Sequence, residues 1–130
     1  QVIDISENSI LEVEGEEVYK AKLIGVDNVK KGELYYAVAH EFLVDNLKGK
    51  TVYIEKDILE KDNYGYFLVY VWFKKPSNIS NEFVSRNLFN YMIIKEGLAK
   101  VSATPPNLKY INYLLEAERI AKEQERRIWR

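Results

Sequence analysis

The chain has no cysteine, one histidine and three prolines in 130 residues. Without a thiol, disulfide redox chemistry, thiolate nucleophiles and cysteine zinc sites are excluded, and one imidazole cannot build a multi-histidine metal centre. A transition-metal enzyme is therefore not expected. No apolar run approaches the roughly 18 residues of a membrane-spanning helix, and Gln1 to Ile10 has neither the basic start nor the apolar stretch of a secretory leader. No membrane partner is expected.

What is present is a chain 47% hydrophobic and 30% charged, with 20 acids against 19 bases. A chain of this size buries roughly two thirds of its unfolded surface, enough for one core without disulfide or metal staples. No repeat, low-complexity tract or linker divides it, so residues 1–130 are read as a single domain. The near-zero net charge hides a polarity: residues 1–65 sum to −6 and residues 66–130 to +5. Such a balance argues against strong non-specific attraction to polyphosphate, while leaving room for a local basic patch.

Alternating Ile10 to Glu14, a turn at Glu14-Gly15-Glu16-Glu17 and a second run from Val18 to Val26 predict a hairpin, with Gly25 marking a bend or bulge. Leu34, Val38, Phe42, Leu43 and Leu47 recur at helical spacing and predict a first helix over 34–47, stopped at Lys48-Gly49. Thr51 to Glu55 and Tyr66 to Phe73 are β-branched and aromatic, and the polar run Asp62-Asn63-Tyr64-Gly65 between them predicts a turn. A short helix is expected near Leu88 to Glu96, capped by Ser85 or Asn87, then a strand at Ala99-Lys100-Val101. Thr104-Pro105-Pro106-Asn107 breaks the chain before a long amphipathic helix from Leu108 to Arg127, with Trp129 anchoring its end. The loop Lys74-Lys75-Pro76-Ser77-Asn78 is a polar surface connection able to meet a partner.

Strands, helix, strands, helix, helix in this order fit a small barrel with added helices. Five stretches carry a more specific likeness. Lys22-Leu23-Ile24-Gly25-Val26-Asp27, Ala39 and Phe42 followed by Leu47, Gly49-Lys50 and Val52, and Asp62-x-Tyr64-Gly65-x-x-Leu68-x-Tyr70-Val71 are the first three. Asn90 with Gly97-Leu98-Ala99-Lys100-Val101, and Leu115 to Ala117 through Ile128-Trp129, complete the set. In this order they resemble the staphylococcal nuclease family. The resemblance implies a mainly β (α+β) fold, a five-stranded OB-fold barrel with three helices.

That family cleaves DNA and RNA phosphodiester bonds with one Ca2+. Two guanidinium groups hold the phosphate, carboxylates hold the hard cation, and a glutamate positions or deprotonates the attacking water. Carried over by motif, the first arginine position is Lys22, which keeps the charge and loses the bidentate fork. The aspartate is retained as Asp27, a weak Ca2+ ligand by itself. The following Thr-Pro-Glu reads Asn28-Val29-Lys30, so a cation occupies the general-base position, and the second arginine is Tyr66. Glu7-Asn8-Ser9-Ile10 matches the family's acidic hairpin entry, with Asn8 in place of a metal-binding aspartate. His40 falls on the first helix, away from these loops.

The resemblance therefore implies the barrel without the catalytic set. Lys22, Asn28, Lys30, Tyr64 and Tyr66 form an altered, aromatic and basic pocket suited to a binding module for single-stranded nucleic acid or for a protein partner. No cofactor is expected in that reading. The competing expectation is a Ca2+-dependent phosphodiesterase with a rearranged site, Asp27 acting with Asp57, Glu60 or Asp62. A purely structural domain of a larger polypeptide is the third.

Overall fold

The computed structural model describes all residues, Gln1–Arg130. Strands β1 (Val2–Ile5), β2 (Leu11–Glu14), β3 (Val18–Leu23) and β4 (Val26–Asn28) precede helix α1 (Tyr36–Leu47). Strands β5 (Tyr53–Glu55) and β6 (Phe67–Trp72) follow, then α2 (Asn81–Asn87), α3 (Phe89–Lys95), β7 (Ala99–Val101), α4 (Ile111–Glu123) and a 3-10 turn at Arg127–Trp129. Five strands form a mixed sheet in the order β1-β2-β3-β6-β5, and β4 pairs with β7 separately. Backbone hydrogen bonds from Val2 N to Lys50 O (3.0 Å) and from Gly49 N to Val2 O (2.7 Å) draw β1 toward the segment that enters β5. The arrangement is α+β and consistent with the nuclease-like, OB-like fold expected.

The predicted hairpin is β2–β3, in the register Leu11↔Ala21 and Val13↔Tyr19. Leu11, Val13, Ala21 and Leu23 are buried while their strand neighbours are not, which is the two-residue period of a half-buried sheet. β1 escaped the sequence reading because Val-Ile-Asp-Ile is too short to show a period. Gly25 supplies the predicted bend at φ 76°, between β3 and β4, and a Cβ there would collide with Leu114 Cδ1.

Four expectations are corrected. α1 starts at Tyr36, and its buried face is Ala39, Leu43 and Leu47; Leu34 and Val38 are 78% and 42% exposed. The short helix expected near 88–96 is a pair, so the chain has four α-helices where three were expected. Leu88 adopts an extended conformation between them because it forms an isolated bridge to Trp72 of β6. Neither Ser85 nor Asn87 caps α3: both side chains donate to carbonyls within α2, whose cap is Ser80, accepting from Phe83 N at 3.1 Å. The last helix is shorter than expected, ending at Glu123, and buries Leu114, Ala117 and Ala121.

The core between sheet and helices includes Trp72, Tyr70, Phe89, Leu43, Ile93 and Leu114. At its centre Asn90 is fully buried and fully bonded. Its Oδ1 accepts from Val71 N (3.0 Å), and its Nδ2 donates to Ile24 O (2.9 Å) and Val69 O (3.2 Å). One amide thus ties α3 to β6 and to the β3–β4 bend that presents Asp27. No helix is long and apolar enough to cross a membrane.

Candidate functional site

Parallel pairing of β3 with β6 sets Lys22 opposite Leu68, directly beside the turn that leads into β6. The β3–β4 bend then carries Asp27, Asn28 and Lys30 along the same side. Together with Asn8, Leu59, Asp62, Thr104 and Asn107 they line an open cleft of about 610 Å³. Four of the residues singled out in the sequence, Lys22, Asp27, Asn28 and Lys30, therefore share one cleft. Tyr64 and Tyr66 do not line it. They stand beside Lys22 on its rim, with ring centroids 5.4 and 4.9 Å from its Nζ. Tyr64 is 83% exposed, and Tyr66 faces a separate small pocket shared with Asn8, Glu12 and Lys20.

Each carboxylate lining this cleft is held by a lysine. Lys22 Nζ lies 2.8 Å from Asp62 Oδ2, and Lys30 Nζ lies 3.1 Å from Asp27 Oδ1. Asp62 Oδ1 also accepts from Tyr64 N (2.9 Å) and Tyr66 N (3.0 Å), so one carboxylate shapes the turn and fixes Lys22. Burial alone would raise the Asp62 carboxyl; Lys22 and these two backbone donors reverse the effect and hold it below the usual carboxylate range. Its hydrogen bond with Asp27 raises the Lys30 ammonium. Glu7, next to Asn8 in the chain, is bonded to Lys31 at 2.8 Å, which lowers its carboxyl, and its carbonyl accepts from the Tyr36 hydroxyl at 2.6 Å.

Glu33 went unnoticed in the sequence. Its Oε1 accepts from Lys30 N (2.7 Å) while Glu33 N donates to Lys30 O (2.9 Å). Glutamate three residues after the start of a turn is the spacing of a capping box, the signal that could have found it. Asn28 Oδ1 is buried without a hydrogen-bond partner. His40 stacks on Tyr36 at 5.7 Å, outside the cleft, as expected from its place on the first helix.

Of the acids named as partners for Asp27, only Asp62 lines the cleft. Glu60 pairs with Lys56 at 3.4 Å. Asp57 is committed elsewhere: its Oδ2 accepts from the Tyr70 hydroxyl (2.7 Å) and Lys109 N (3.1 Å). Beside it, Glu55 accepts from Trp72 Nε1 (2.9 Å), Lys109 Nζ (2.6 Å) and the Tyr110 hydroxyl (2.9 Å). Burial, reinforced by Glu55, pushes the Tyr110 hydroxyl up to about 12, so it stays a proton donor. This network fastens the start of α4 to β5 and β6 and leaves no free acid or base. Ca2+ takes about 6–8 oxygen ligands at about 2.3–2.6 Å, and no group of three or more His, Asp or Glu side chains converges anywhere in the chain.

A mixed sheet with parallel β3 and β6, helices on its flank and a cleft at the β3–β4 bend define an α+β domain consistent with an OB-like fold. Comparison with known proteins places it further. The staphylococcal nuclease homologue family model matches residues 20–130. The thermonuclease of Staphylococcus intermedius is 32% identical over 135 aligned residues, covering 99% of this chain and 73% of that protein. The thermonuclease of Staphylococcus hyicus is 32% identical over 114 residues, 83% of this chain and 61% of that protein. An uncharacterised protein of Methanocaldococcus jannaschii is 33% identical over 93 residues, 70% of this chain and 41% of that protein. The chain belongs to the staphylococcal nuclease homologue family.

Proposed function

We propose that this domain keeps the nuclease fold as a binding module for single-stranded nucleic acid and does not hydrolyse phosphodiesters through Ca2+. The observation that carries the reading is the pairing of both cleft carboxylates, Asp27 with Lys30 and Asp62 with Lys22. A divalent ion would have to displace both lysines and would still find too few oxygens. No guanidinium lines the cleft, and an ammonium cannot grip a phosphate through two parallel hydrogen bonds. Tyr64 is the binding element: an unpartnered ring on the rim with a cation beside it stacks an unpaired base, a contact worth about 1–3 kcal/mol.

Because the cleft lysines are already neutralised, few counterions are released on binding. The salt dependence of log K should be shallow, with a slope of magnitude below about 2. Anisotropy of a labelled oligothymidylate, at low and high salt, tests this on the wild type, on Tyr64→Ala and on a Lys22→Ala/Lys30→Ala/Tyr66→Ala variant. Absence of binding, or binding untouched in both variants, would sink the proposal. Digestion of single-stranded DNA with Ca2+ and with chelator tests the other half. Family membership and the thermonuclease relatives favour a second reading, a Ca2+-dependent phosphodiesterase using Asp27 and Asp62 after both lysines swing away. Ca2+-dependent cleavage abolished by Asp27→Ala would establish it.

A further inference from the structure

A second groove of the domain lies away from this cleft. It measures about 670 Å³ and is lined by Tyr53, Ile54 and Glu55 of β5, by Lys75, Pro76 and Ile79 of the β6–α2 loop, and by the start of α4 at Lys109, Tyr110 and Tyr113. Successive strand residues point to opposite faces of a sheet, yet all three residues of β5 reach this groove. That happens where a groove runs along the edge of a strand. β5 is the terminal strand of its sheet, and its backbone bonds only to β6. Tyr53 and Ile79, 49% and 37% exposed, belong neither to the core nor to the layer packed on it.

Charge selects the occupant. Glu55 is already neutralised by Lys109 at 2.6 Å, whereas Lys75, which lines the groove, forms no ion pair. The groove therefore offers a strand edge with no second strand beside it, an apolar floor and one unpaired lysine on one side. We propose that it is a docking site for an extended acidic peptide, which adds as a strand to β5, seats alternate apolar side chains among Tyr53, Pro76, Ile79 and Tyr113, and sets a carboxylate against Lys75. A nucleic acid has no amide ladder to offer the strand edge, so the edge geometry favours a peptide. The site is independent of the cleft and stands whether or not the cleft binds nucleic acid.

The test uses the full chain, isotopically labelled, and a capped heptapeptide alternating glutamate with leucine and phenylalanine. Backbone amide shifts are expected at 53–55, 75–79 and 110–113. Methylating the peptide's amide nitrogens along one edge should abolish them, since strand addition needs those N–H groups. Lys75→Glu, an exposed substitution outside the core, should weaken binding at least tenfold, about 1.4 kcal/mol, and the same peptide with lysine for glutamate should bind this variant better than the wild type. Absence of shifts at millimolar peptide, equal binding of the N-methylated or lysine peptide, or an oligothymidylate producing these shifts instead would overturn the proposal. Oligothymidylate shifts at Lys22, Asp27 to Lys30 and Tyr64 report on the cleft alone, so the two proposals fail separately.

Discussion

Asn90 offers the sharpest test of how this domain holds its cleft together. Replacing it with leucine keeps the branched shape of the side chain and removes three buried hydrogen bonds, to Val71 N, Ile24 O and Val69 O. Val69 O retains a donor in Ile24 N at 2.8 Å, so the loss falls mainly on Val71 N and Ile24 O. Val71 and Ile24 are buried, and water cannot reach their backbone groups to compensate. A buried hydrogen bond contributes about 1 kcal/mol net, and a stranded buried partner costs about 1–3 kcal/mol. Asn90→Leu should therefore lower stability by about 3–5 kcal/mol, with an unchanged urea m-value in unfolding followed by far-ultraviolet circular dichroism. Because the amide also pins the β3–β4 bend, amide exchange over residues 24–30 should accelerate more than global unfolding alone would give. A loss below about 1 kcal/mol would refute the reasoning, since it would mean that those backbone groups find other partners.

Gly97 sits at φ 72° with no room for a side chain, because a Cβ would strike the Arg126 carbonyl; Gly97→Ala should cost more than about 2 kcal/mol in thermal or urea unfolding, and a neutral outcome would show that the C-terminal turn packs differently. For Asp57, burial raises its carboxyl, but hydrogen bonds from Tyr70, Lys109 N and Ile58 N prevail and the net shift is downward from 3.8. A carboxylate lowered on folding contributes stability that is present above its unfolded value and lost as pH falls through its folded value. The stability gap between wild type and Asp57→Asn should therefore be full at neutral pH and shrink below pH 3.8; a gap constant down to acid pH would contradict the assigned partners. Tyr64→Ala should weaken oligothymidylate binding by about 1–3 kcal/mol with no change in melting temperature, because the ring is 83% exposed; a comparable loss of stability would mean that the ring packs and does not bind.

The elements that were legible in the sequence are those whose signal is local. Alternation of Leu11, Val13, Ala21 and Leu23 marks the hairpin, since a half-buried strand alternates whatever it packs on. The breaks at Leu88 and at the start of α1 were not legible. Leu88 leaves helical geometry because Trp72, distant in sequence, bridges to it, and the buried face of α1 is chosen by what the sheet presents. The candidate site was legible in part: Lys22, Asp27, Asn28 and Lys30 share a cleft, while Tyr64 and Tyr66 stay beside Lys22 outside it.

By itself the sequence determined the inventory: no thiol, one imidazole, lysines at 22 and 30 and an aspartate at 27, along with the order of strands and helices that local periodicity dictates. Lys30 pairs locally with Asp27, three residues before it, whereas tertiary structure decided the pairing of Lys22. Whether a lysine is a free cation or half of an ion pair depends on which carboxylate the fold brings within about 4 Å. Parallel registration of β3 with β6 alone sets Lys22 against Asp62. The same sheet order leaves the edge of β5 open beside an apolar groove, because a strand's free edge is a property of its neighbours and not of its residues.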